Sequence, residues 1–560
     1  MNRFGWPRGS AALGALIWLV VLVTADIPWR QRVLLLAPLV LVPLALAVLD
    51  QPSRHGRRHA LWSWAVALQP AAAAGAAWSV VLEPGGLAGC AAVPWAVVCA
   101  LVAAWGLRSL LRRGLLPVEE LAIDVGCVQL LVGAVWLVIA RFGLDPLAHG
   151  GTLVELTAVH FHFAGFALPV LVGLAGRGLR SARTVYAWST WGILVGIPLT
   201  AVGIGWSPSL ELGGAILLAG SAVVHAILLL GFPSARGKGV VPNLLLAVSG
   251  LSLVWSMRLA IEYADAAYGG GAPTDMVRMA AVHGSLNAIG VCLFGLLARS
   301  MRPPSSRVAL EGRPWSRLGG GRIGADYFER RGLTDRNREA RGLLDRMDVW
   351  DCEGLRVEEL DPSVRRFFED TAAAALHVRP VWAWWARPCA AVMRWVADRV
   401  GQLALPRSPG SVTGRVVALQ DDPRPGARAW VRTGTDGAVL VSAYASHRYG
   451  GRVYQDVVLP LPIGNLTCTF LPEQDHHELV LTSASSSRSQ GDEGAWWVTR
   501  WFRLRLPLVE QVMLWPSSDE GPVQALDHGV PDAQLLARHR IWWWGLHVLR
   551  LDYAIRWEDA

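Results

Sequence analysis

The sequence predicts a polytopic α-helical membrane domain of about ten spans, followed by a cytoplasmic α+β domain with a curved antiparallel sheet or barrel. Two observations support this fold class. The 560 residues are 53% hydrophobic and 17% charged, whereas soluble globular chains carry about 25% charged residues. Apolar stretches long enough to cross a bilayer follow one another as far as residue 299, and alternating patterns replace them later in the chain.

The same composition excludes several other classes of protein. Apolar residues are too frequent for a disordered chain, and there is no Gly-X-Y period of the collagen type. Seven cysteines in 560 residues are too few for a disulfide scaffold. Arginine supplies nearly all of the positive charge behind the net charge of +8, and Lys238 is the only lysine.

Ten stretches have the roughly 20 mostly apolar residues that a helix needs to cross the hydrocarbon core. They lie near residues 10–25, 31–49, 60–82, 88–107, 120–140, 152–176, 184–206, 209–232, 240–261 and 276–299. The first has a second interpretation, because Arg3, Arg8 and the sequence Val23-Thr24-Ala25 would also suit a cleaved signal peptide. Cleavage there would leave the orientation of the other spans unchanged.

The loop charges agree with ten spans and predict their orientation. Short cytoplasmic loops accumulate arginine and lysine, and here the even-numbered loops do so. Of the odd-numbered loops, only the first, with Arg30 and Arg32, goes against the trend. We therefore expect a multi-pass protein of the cell membrane with both termini cytoplasmic. The basic residues of the even loops are Arg54, Arg57, Arg58, Arg108, Arg112, Arg113, Arg177, Arg180, Arg183, Arg236, Lys238, Arg299, Arg302 and Arg307.

The predicted domains are a transmembrane domain at 1–302, a linker at 303–325 and a cytoplasmic domain at 326–560. Prolines, serines and three consecutive glycines mark the linker. The stretch 326–404 is expected to be helical. From residue 412 the pattern alternates, in runs near 416–419, 429–432, 439–444, 452–457, 466–470, 479–482 and 497–505, with glycine-bearing turns between several of them.

Tryptophan and arginine alternate in the helical part of the C-terminal domain, and two interpretations stay open. Trp382, Trp384, Trp385 and Trp395 are interspersed with arginines, and Ile541-Trp542-Trp543-Trp544 is similar in composition. Such residues suit the headgroup layer of a membrane, where they would contact membrane lipids. Burial in the domain's own core is the alternative. Nucleic acid is not expected as a partner, because the positive charges follow the loops rather than forming one stripe.

The sixth predicted span carries the densest group of residues that could support a function. Ionisable side chains inside a bilayer usually face a protein interior or a water path, and this span holds Glu155, His160 and His162. Because successive helical residues turn about 100°, the two histidines should project to opposite sides. Glu155 and His162 are seven residues apart on one face and could pair. Hydrogen bonds to neighbouring helices are the structural alternative.

Further candidates lie in the eighth and tenth spans. His225 stands alone among apolar residues, so a packing histidine is at least as good an interpretation as a ligand. His283 and Asn287 share a helix face at four-residue spacing. In the fifth span, Glu119 and Glu120 suit the start of a helix. No phosphate loop, Cys-x-x-Cys pair or nucleophile elbow is present.

Two motifs resemble a known family. His160-Phe161-His162-Phe163-Ala164-Gly165-Phe166, followed by Pro169 and Gly173, and His283-Gly284-Ser285-Leu286-Asn287-Ala288-Ile289-Gly290 resemble the YndJ-like family of bacterial multi-span membrane proteins. Members are commonly labelled transporters. The resemblance implies a small-solute transporter, with Glu155, His160, His162, His283 and Asn287 along the transport path and a C-terminal regulatory or ligand-binding domain. Its partners would be a small-molecule solute or a lipophilic ligand.

The His-Phe-His-Phe string also resembles, more weakly, the histidine pair of haem-copper oxidase subunits. It implies an alternative function, a membrane redox protein that binds haem or copper through His160, His162, His225 and His283. The chain departs from that pattern because no span has adjacent histidines and the first five spans have none well inside. The alternating C-terminal strands resemble lipocalin-like or helix-grip ligand cups in pattern alone.

Overall fold

The computed structural model describes residues 5–50, 59–148, 150–236, 239–269, 276–306, 315–352, 354–406, 408–434, 437–484, 491–517, 530 and 532–557. The chain divides into two compact units, Met1–Gly312 and Arg313–Ala560. Five of the loop charges that predict orientation, Arg54, Arg57, Arg58, Lys238 and Arg307, lie outside the described residues.

The first unit confirms the predicted number of spans. Among its described residues, ten helices are long and apolar enough to cross a membrane. The second and sixth are central, since 94% and 83% of their apolar windows are buried, against 22% for the first. The spans are Trp6–Thr24, Trp29–Leu49, Ala60–Val81, Gly86–Arg113, Val118–Arg141, Gly151–Gly178, Arg183–Trp206, Pro208–Gly231, Val240–Ala266 and Ala281–Met301.

Three of these spans change from α to π geometry in mid-course. The π segments are Ala37–Leu41, Phe161–Ala167 and Leu286–Leu293, in the second, sixth and tenth spans. They contact one another, so the three spans meet in the interior of the unit. A π segment widens the helix and is frequent at functional sites. The region around these three segments is therefore a candidate for the functional site.

The second unit is a closed antiparallel β-barrel, as the predicted curved sheet or barrel anticipated. Among the described residues of this unit, twelve strands pair in the order β5-β4-β3-β2-β1-β12-β11-β10-β7-β6-β8-β9, and pairing of β5 with β6 closes the barrel. The strands are β1 Ala374–Trp382, β2 Gly410–Ala418, β3 Arg428–Gly434, β4 Gly437–Tyr449, β5 Arg452–Pro460, β6 Asn465–Asp475, β7 Glu478–Thr482, β8 Gly494–Val498, β9 Arg503–Arg505, β10 Leu508–Pro516, β11 Leu535–Trp543 and β12 Leu546–Trp557.

Short helices accompany the barrel. α-Helices occupy Tyr327–Arg330, Pro362–Glu369 and Arg387–Val400, with 3₁₀ turns at Met347–Trp350, Val357–Glu359, Thr371–Ala373 and Trp384–Ala386. The helix Pro362–Glu369 places Phe367 and Phe368 in one core with Trp350 and Trp430. Leu318 and Ile323, within the predicted linker, lie in a second core of the same unit.

Two sequence-based expectations for this unit are wrong, and three strands were not predicted. The stretch 326–404 is not mainly helical, because Ala374–Trp382 alternates in burial and pairs with strands on both sides. The run 497–505 is not one strand, since β8 and β9 form an antiparallel pair with a turn between them. Strands β10, β11 and β12, a quarter of the described strands of the sheet, were not predicted from the sequence.

Candidate functional site

A cavity of about 620 Å³ lies inside the first unit, among the second and the fifth to tenth spans. Its lining residues lie mainly in the halves of these spans that meet the odd-numbered loops, here called the odd-loop side, together with Asp145 and Leu147 of the fifth loop. The lining reaches the middle of the sixth and tenth spans at Leu168 and Cys292. Most of the lining is aliphatic or aromatic. Its polar lining side chains include Asp145, His160, Glu211, Tyr263, His283 and Asn287.

His283 and Asn287 form one hydrogen-bonded group with Ser256 of the ninth span. The Asn287 Nδ2–H group donates to His283 Nε2 at 3.0 Å and to Ser256 Oγ at 2.5 Å. His283 Nδ1 lies 3.0 Å from both the hydroxyl and the backbone oxygen of Ser256. This network assigns a neutral imidazole that donates from Nδ1 and accepts at Nε2. The group is therefore held in place from two spans beside the cavity.

His160 also lines the cavity, and it lies in the last α-helical turn before the π segment of the sixth span. Its Nε2 atom is buried and has no hydrogen-bond partner among the described residues. A buried polar atom without a partner carries a free-energy penalty of about 1–3 kcal/mol. A solute with a hydrogen-bonding group would remove that penalty, so His160 offers a binding contact.

His162 projects away from the cavity, in agreement with the opposed projection that the helical spacing predicts. Its Nδ1–H group donates to Ala158 O at 2.7 Å, and its Nε2 accepts from the Trp95 Nε1–H group at 3.0 Å. The side chain is fully buried, and a Cβ on Gly133 would lie 2.7 Å from Nδ1. Nε2 thus joins the sixth span to the fourth, Nδ1 is used within the sixth span, and the ring packs against Gly133 of the fifth.

Glu155 does not pair with His162, contrary to the prediction. Its carboxylate accepts from the Arg30 guanidinium and, at 2.7 Å, from the Gln31 amide, and Arg141 lies 3.7 Å away. These contacts connect the second, fifth and sixth spans on the odd-loop side. Its partners Arg30, Gln31 and Arg141 all belong to other spans, so residue spacing within the sixth span could not predict them.

The four histidines proposed as haem or copper ligands are not brought together. His160 and His283 line the cavity, whereas His162 faces Trp95, and His225 packs beside Tyr186 with ring centroids 6.4 Å apart. Among the described residues no three His, Cys, Asp or Glu side chains form a group that could hold a metal ion. The four histidines stay apart because the helical turn of the sixth span points His160 and His162 in different directions, and because His225 lies on another span away from the cavity.

A second buried polar group lies at the opposite ends of the spans, on the even-loop side. Arg113 donates to Glu120 at 2.7 Å and to both oxygens of Asp124 at 2.6 and 2.7 Å. Arg177 donates to the two oxygens of Glu120 at 2.8 and 2.9 Å. Glu120 and Asp124 are 1% and 0% exposed. The fourth, fifth and sixth spans are therefore joined by a charge network closed to water.

Two further contacts extend this network. Arg183, at the start of the seventh span, donates to both oxygens of Glu119 at 2.8 and 2.6 Å. Ser306 donates from its hydroxyl to Glu120 at 2.8 Å. Sequence reasoning missed this network, because it assigned the arginines to loops and Glu119 and Glu120 to a helix start. Three carboxylates in the first turns of one span were the available indication of buried partners.

Comparisons with known proteins find one matching family and a similar bacterial protein. Residues 32–291 match the family model described as YndJ-like protein. The chain is 27% identical over 471 residues to the Bacillus subtilis (strain 168) protein named "Uncharacterized membrane protein YndJ", with 83% of each chain covered. Because that alignment is longer than the first unit, which ends at Gly312, the similarity extends into the barrel. No solved structure matches the chain.

Proposed function

This chain is a membrane protein of the YndJ type, and we propose from that premise that its membrane unit transports a small solute. The cavity beside His160, His283 and Asn287 is the solute-binding site in this proposal. The even-loop charge network, defined as Arg113, Glu119, Glu120, Asp124, Arg177 and Arg183, keeps the other side closed in the same state.

The observation that carries the proposal is the one-sided position of the cavity. Its lining residues lie mainly on the odd-loop side and reach no further than the middle of the sixth and tenth spans, while Glu120 and Asp124 on the even-loop side are buried in ion pairs. A transporter needs a site that faces one side of the membrane while the other side is closed. The geometry fits one such state.

The lining indicates the class of solute. Aliphatic and aromatic side chains dominate it, with a small number of fixed polar groups, which is the usual composition of a site for a small organic molecule. His160 Nε2 and the Asn287–His283 group supply hydrogen bonds on the sixth and tenth spans. The solute would be small and mainly apolar, with one or two hydrogen-bonding groups.

The loop arginines support one orientation of the unit. In this proposal the even-numbered loops and the barrel are cytoplasmic, the protein lies in the cell membrane, and the cavity faces outward. The barrel would act as a cytoplasmic regulatory domain. Its core residues Trp350, Phe367, Phe368 and Trp430 support a packed module and give no specific support to a lipophilic ligand within it.

Transport from proteoliposomes tests the proposal. Vesicles that contain the purified chain are loaded with a small-molecule extract of bacterial cells, and the compounds that leave are identified by mass spectrometry. The intact chain should release at least one compound faster than empty vesicles. His160→Ala and Asn287→Ala should slow that release by about tenfold or more, since each removes a hydrogen bond worth about 0.5–1.5 kcal/mol together with shape complementarity.

His225→Asn is the matched control, because His225 is an intramembrane histidine outside the cavity lining. It should leave the release rate within about twofold of the intact chain, which is the scatter expected for a site without contact to solute. Equal loss in His160→Ala, Asn287→Ala and His225→Asn, at equal protein content, would contradict the assignment of the site. The same preparations give an absorption spectrum, in which a Soret band would favour the haem alternative.

A further inference from the structure

The helix Arg387–Val400 of the barrel domain exposes its large apolar side chains, whereas an ordinary surface helix turns such side chains towards the core. Ala390 and Ala397 are buried against the domain, whereas Val392, Trp395 and Val396 are 64%, 58% and 42% exposed. At 100° per residue these three exposed side chains lie on one helix face. Large exposed apolar surface of this kind marks an interaction site.

The tip of the β11–β12 hairpin adjoins this helix and is equally apolar. Trp543, Trp544 and Leu546 at the tip are exposed, and so is Trp384 in the turn before the helix, at 81%. The two segments are connected by hydrogen bonds, since Ala383 N–H donates to Val548 O at 2.9 Å and Trp385 Nε1–H donates to His547 O at 3.1 Å. We name the exposed set Trp384, Trp385, Val392, Trp395, Val396, Trp543, Trp544 and Leu546 the tryptophan surface.

Cations accompany the tryptophan surface. Arg387 and Arg399 on the helix are exposed, and the Arg399 guanidinium lies 3.8 Å from the centroid of the Trp395 ring. A guanidinium over an exposed indole presents positive charge and apolar surface at the same place. That combination fits the boundary between lipid headgroups and acyl chains, where tryptophan is favoured and anionic lipid attracts arginine.

The sheet beside the hairpin tip shows a second, independent feature. Arg540 of β11 and Arg550 of β12 are directly opposite each other in the strand register, and like charges in that position are destabilising. Arg550 has a carboxylate partner in Asp552 at 3.0 Å. Burial together with Arg538 and Arg550 lowers the pKa of Arg540, as expected for a cation among cations. An anion bound at this place would relieve the repulsion.

We propose that the tryptophan surface and its flanking arginines dock the barrel domain onto the headgroup layer of an anionic bilayer. The occupant is a membrane surface, since the exposed side chains are interfacial aromatics next to cations. Covalent attachment to a membrane-spanning unit raises the local concentration of bilayer around the domain. Even modest contacts then suffice to hold the domain on the membrane. The inference does not depend on the transport proposal.

Hydrogen–deuterium exchange on the full chain in nanodiscs tests the docking. Amide exchange of residues 387–400 and 541–547 is compared in discs of phosphatidylcholine, in discs that also contain phosphatidylglycerol, and in detergent. We expect slower exchange in the anionic discs alone, with the protection lost in 1 M salt because the Debye length there is about 3 Å. Each arginine contact removed should weaken the protection about fivefold.

Two variants and a matched control make the result specific. Arg387→Glu/Arg399→Glu and Val392→Ser/Trp395→Ser should both abolish the lipid-dependent protection. Trp501→Ser is the control, because Trp501 is 66% exposed in the β8–β9 turn outside the tryptophan surface, and it should leave the protection unchanged. Protection that is equal in detergent and in both kinds of disc would mean that protein covers the surface, and absence of protection everywhere would mean that nothing does. Either outcome overturns the proposal.

Discussion

His160 and His162 are two positions apart, and their different surroundings give them different roles. His160 and His162 are chemically equivalent in the sequence, and helical spacing predicts correctly that they project to different sides. Sequence cannot tell which of them faces a cavity, because the partner that occupies His162 is Trp95 of another span, 67 residues away along the chain. Tertiary contacts alone separate a packing role from a candidate binding role.

His162→Ala should therefore lower stability rather than remove a transport contact. The substitution leaves the Trp95 indole N–H and the Ala158 carbonyl without their present partner and opens space beside Gly133. We expect a loss of about 1–3 kcal/mol in the free energy of unfolding, measured by thermal unfolding in detergent. His160→Ala, which removes no hydrogen bond of the described residues, should change the unfolding temperature little. The reverse order of the two variants would contradict the roles assigned to these residues.

A buried carboxylate in the barrel predicts a pH dependence of stability. Burial disfavours the charge of Glu510, but hydrogen bonds from His539 at 2.7 Å and Cys468 at 2.8 Å hold its pKa below the usual value. Because the folded pKa is depressed, the stabilisation is present above the unfolded pKa of about 4.3 and is lost as pH falls through the folded pKa. Glu510→Gln should flatten the acid limb of the unfolding temperature below about pH 4.5.

The exposed Glu358 provides the comparison for Glu510. Its side chain is 78% exposed and lies 3.8 Å from Arg356, so Glu358→Gln should leave the acid limb as it is in the intact chain. An acid limb that is the same for the intact chain and for both variants would show that Glu510 is not the titrating group.

At the scale of elements, the sequence was sufficient to predict where the spans lie but not the π segments within them or the pairing of the strands. Length, hydropathy and loop arginines predicted ten spans because each of these properties is local. The three π segments, the barrel closure and the strand assignment of 374–382 depend on neighbours that are distant in the chain. The alanine-rich run before Leu376 favours a helix by propensity, yet Ala374 and Ala375 at its end belong to β1, which pairs with β2 and β12.

The even-loop charge network is the clearest element-scale prediction. Arg113 holds Glu120 and Asp124 across the fourth and fifth spans, so Arg113→Ala leaves buried carboxylates short of a partner. Breaking a buried pair in this way costs about 3–5 kcal/mol, which should appear as lower yield and a lower unfolding temperature in detergent.

Arg180 is a suitable control for the network, since it belongs to an even loop and is exposed. Arg180→Ala should be neutral within about 0.5 kcal/mol. Arg113→Ala/Asp124→Ala should recover part of the loss, because the double substitution removes one uncompensated charge. A neutral Arg113→Ala would show that the network does not hold the spans together.

At the scale of the whole molecule, the membrane unit combines a cavity on its odd-loop side with buried ion pairs on its even-loop side. The sequence predicted three residues that line the cavity, His160, His283 and Asn287, but it placed Glu155 and His162 with them and did not predict the ion pairs. The asymmetry between the two sides is a property of the assembled bundle. It is also the feature on which the proposed transport function depends.

Accessibility of one introduced cysteine tests that asymmetry most directly. Gly284 lines the cavity, and a Cβ at this position meets no atom within 4 Å, so Gly284→Cys would place a thiol in open space. A membrane-impermeant maleimide is applied to spheroplasts and to inside-out vesicles, and labelling of residue 284 is measured by mass spectrometry. We predict labelling from the outer face and none from the cytoplasmic face. Any labelling from the cytoplasmic face, or no labelling from either face, would contradict the one-sided cavity.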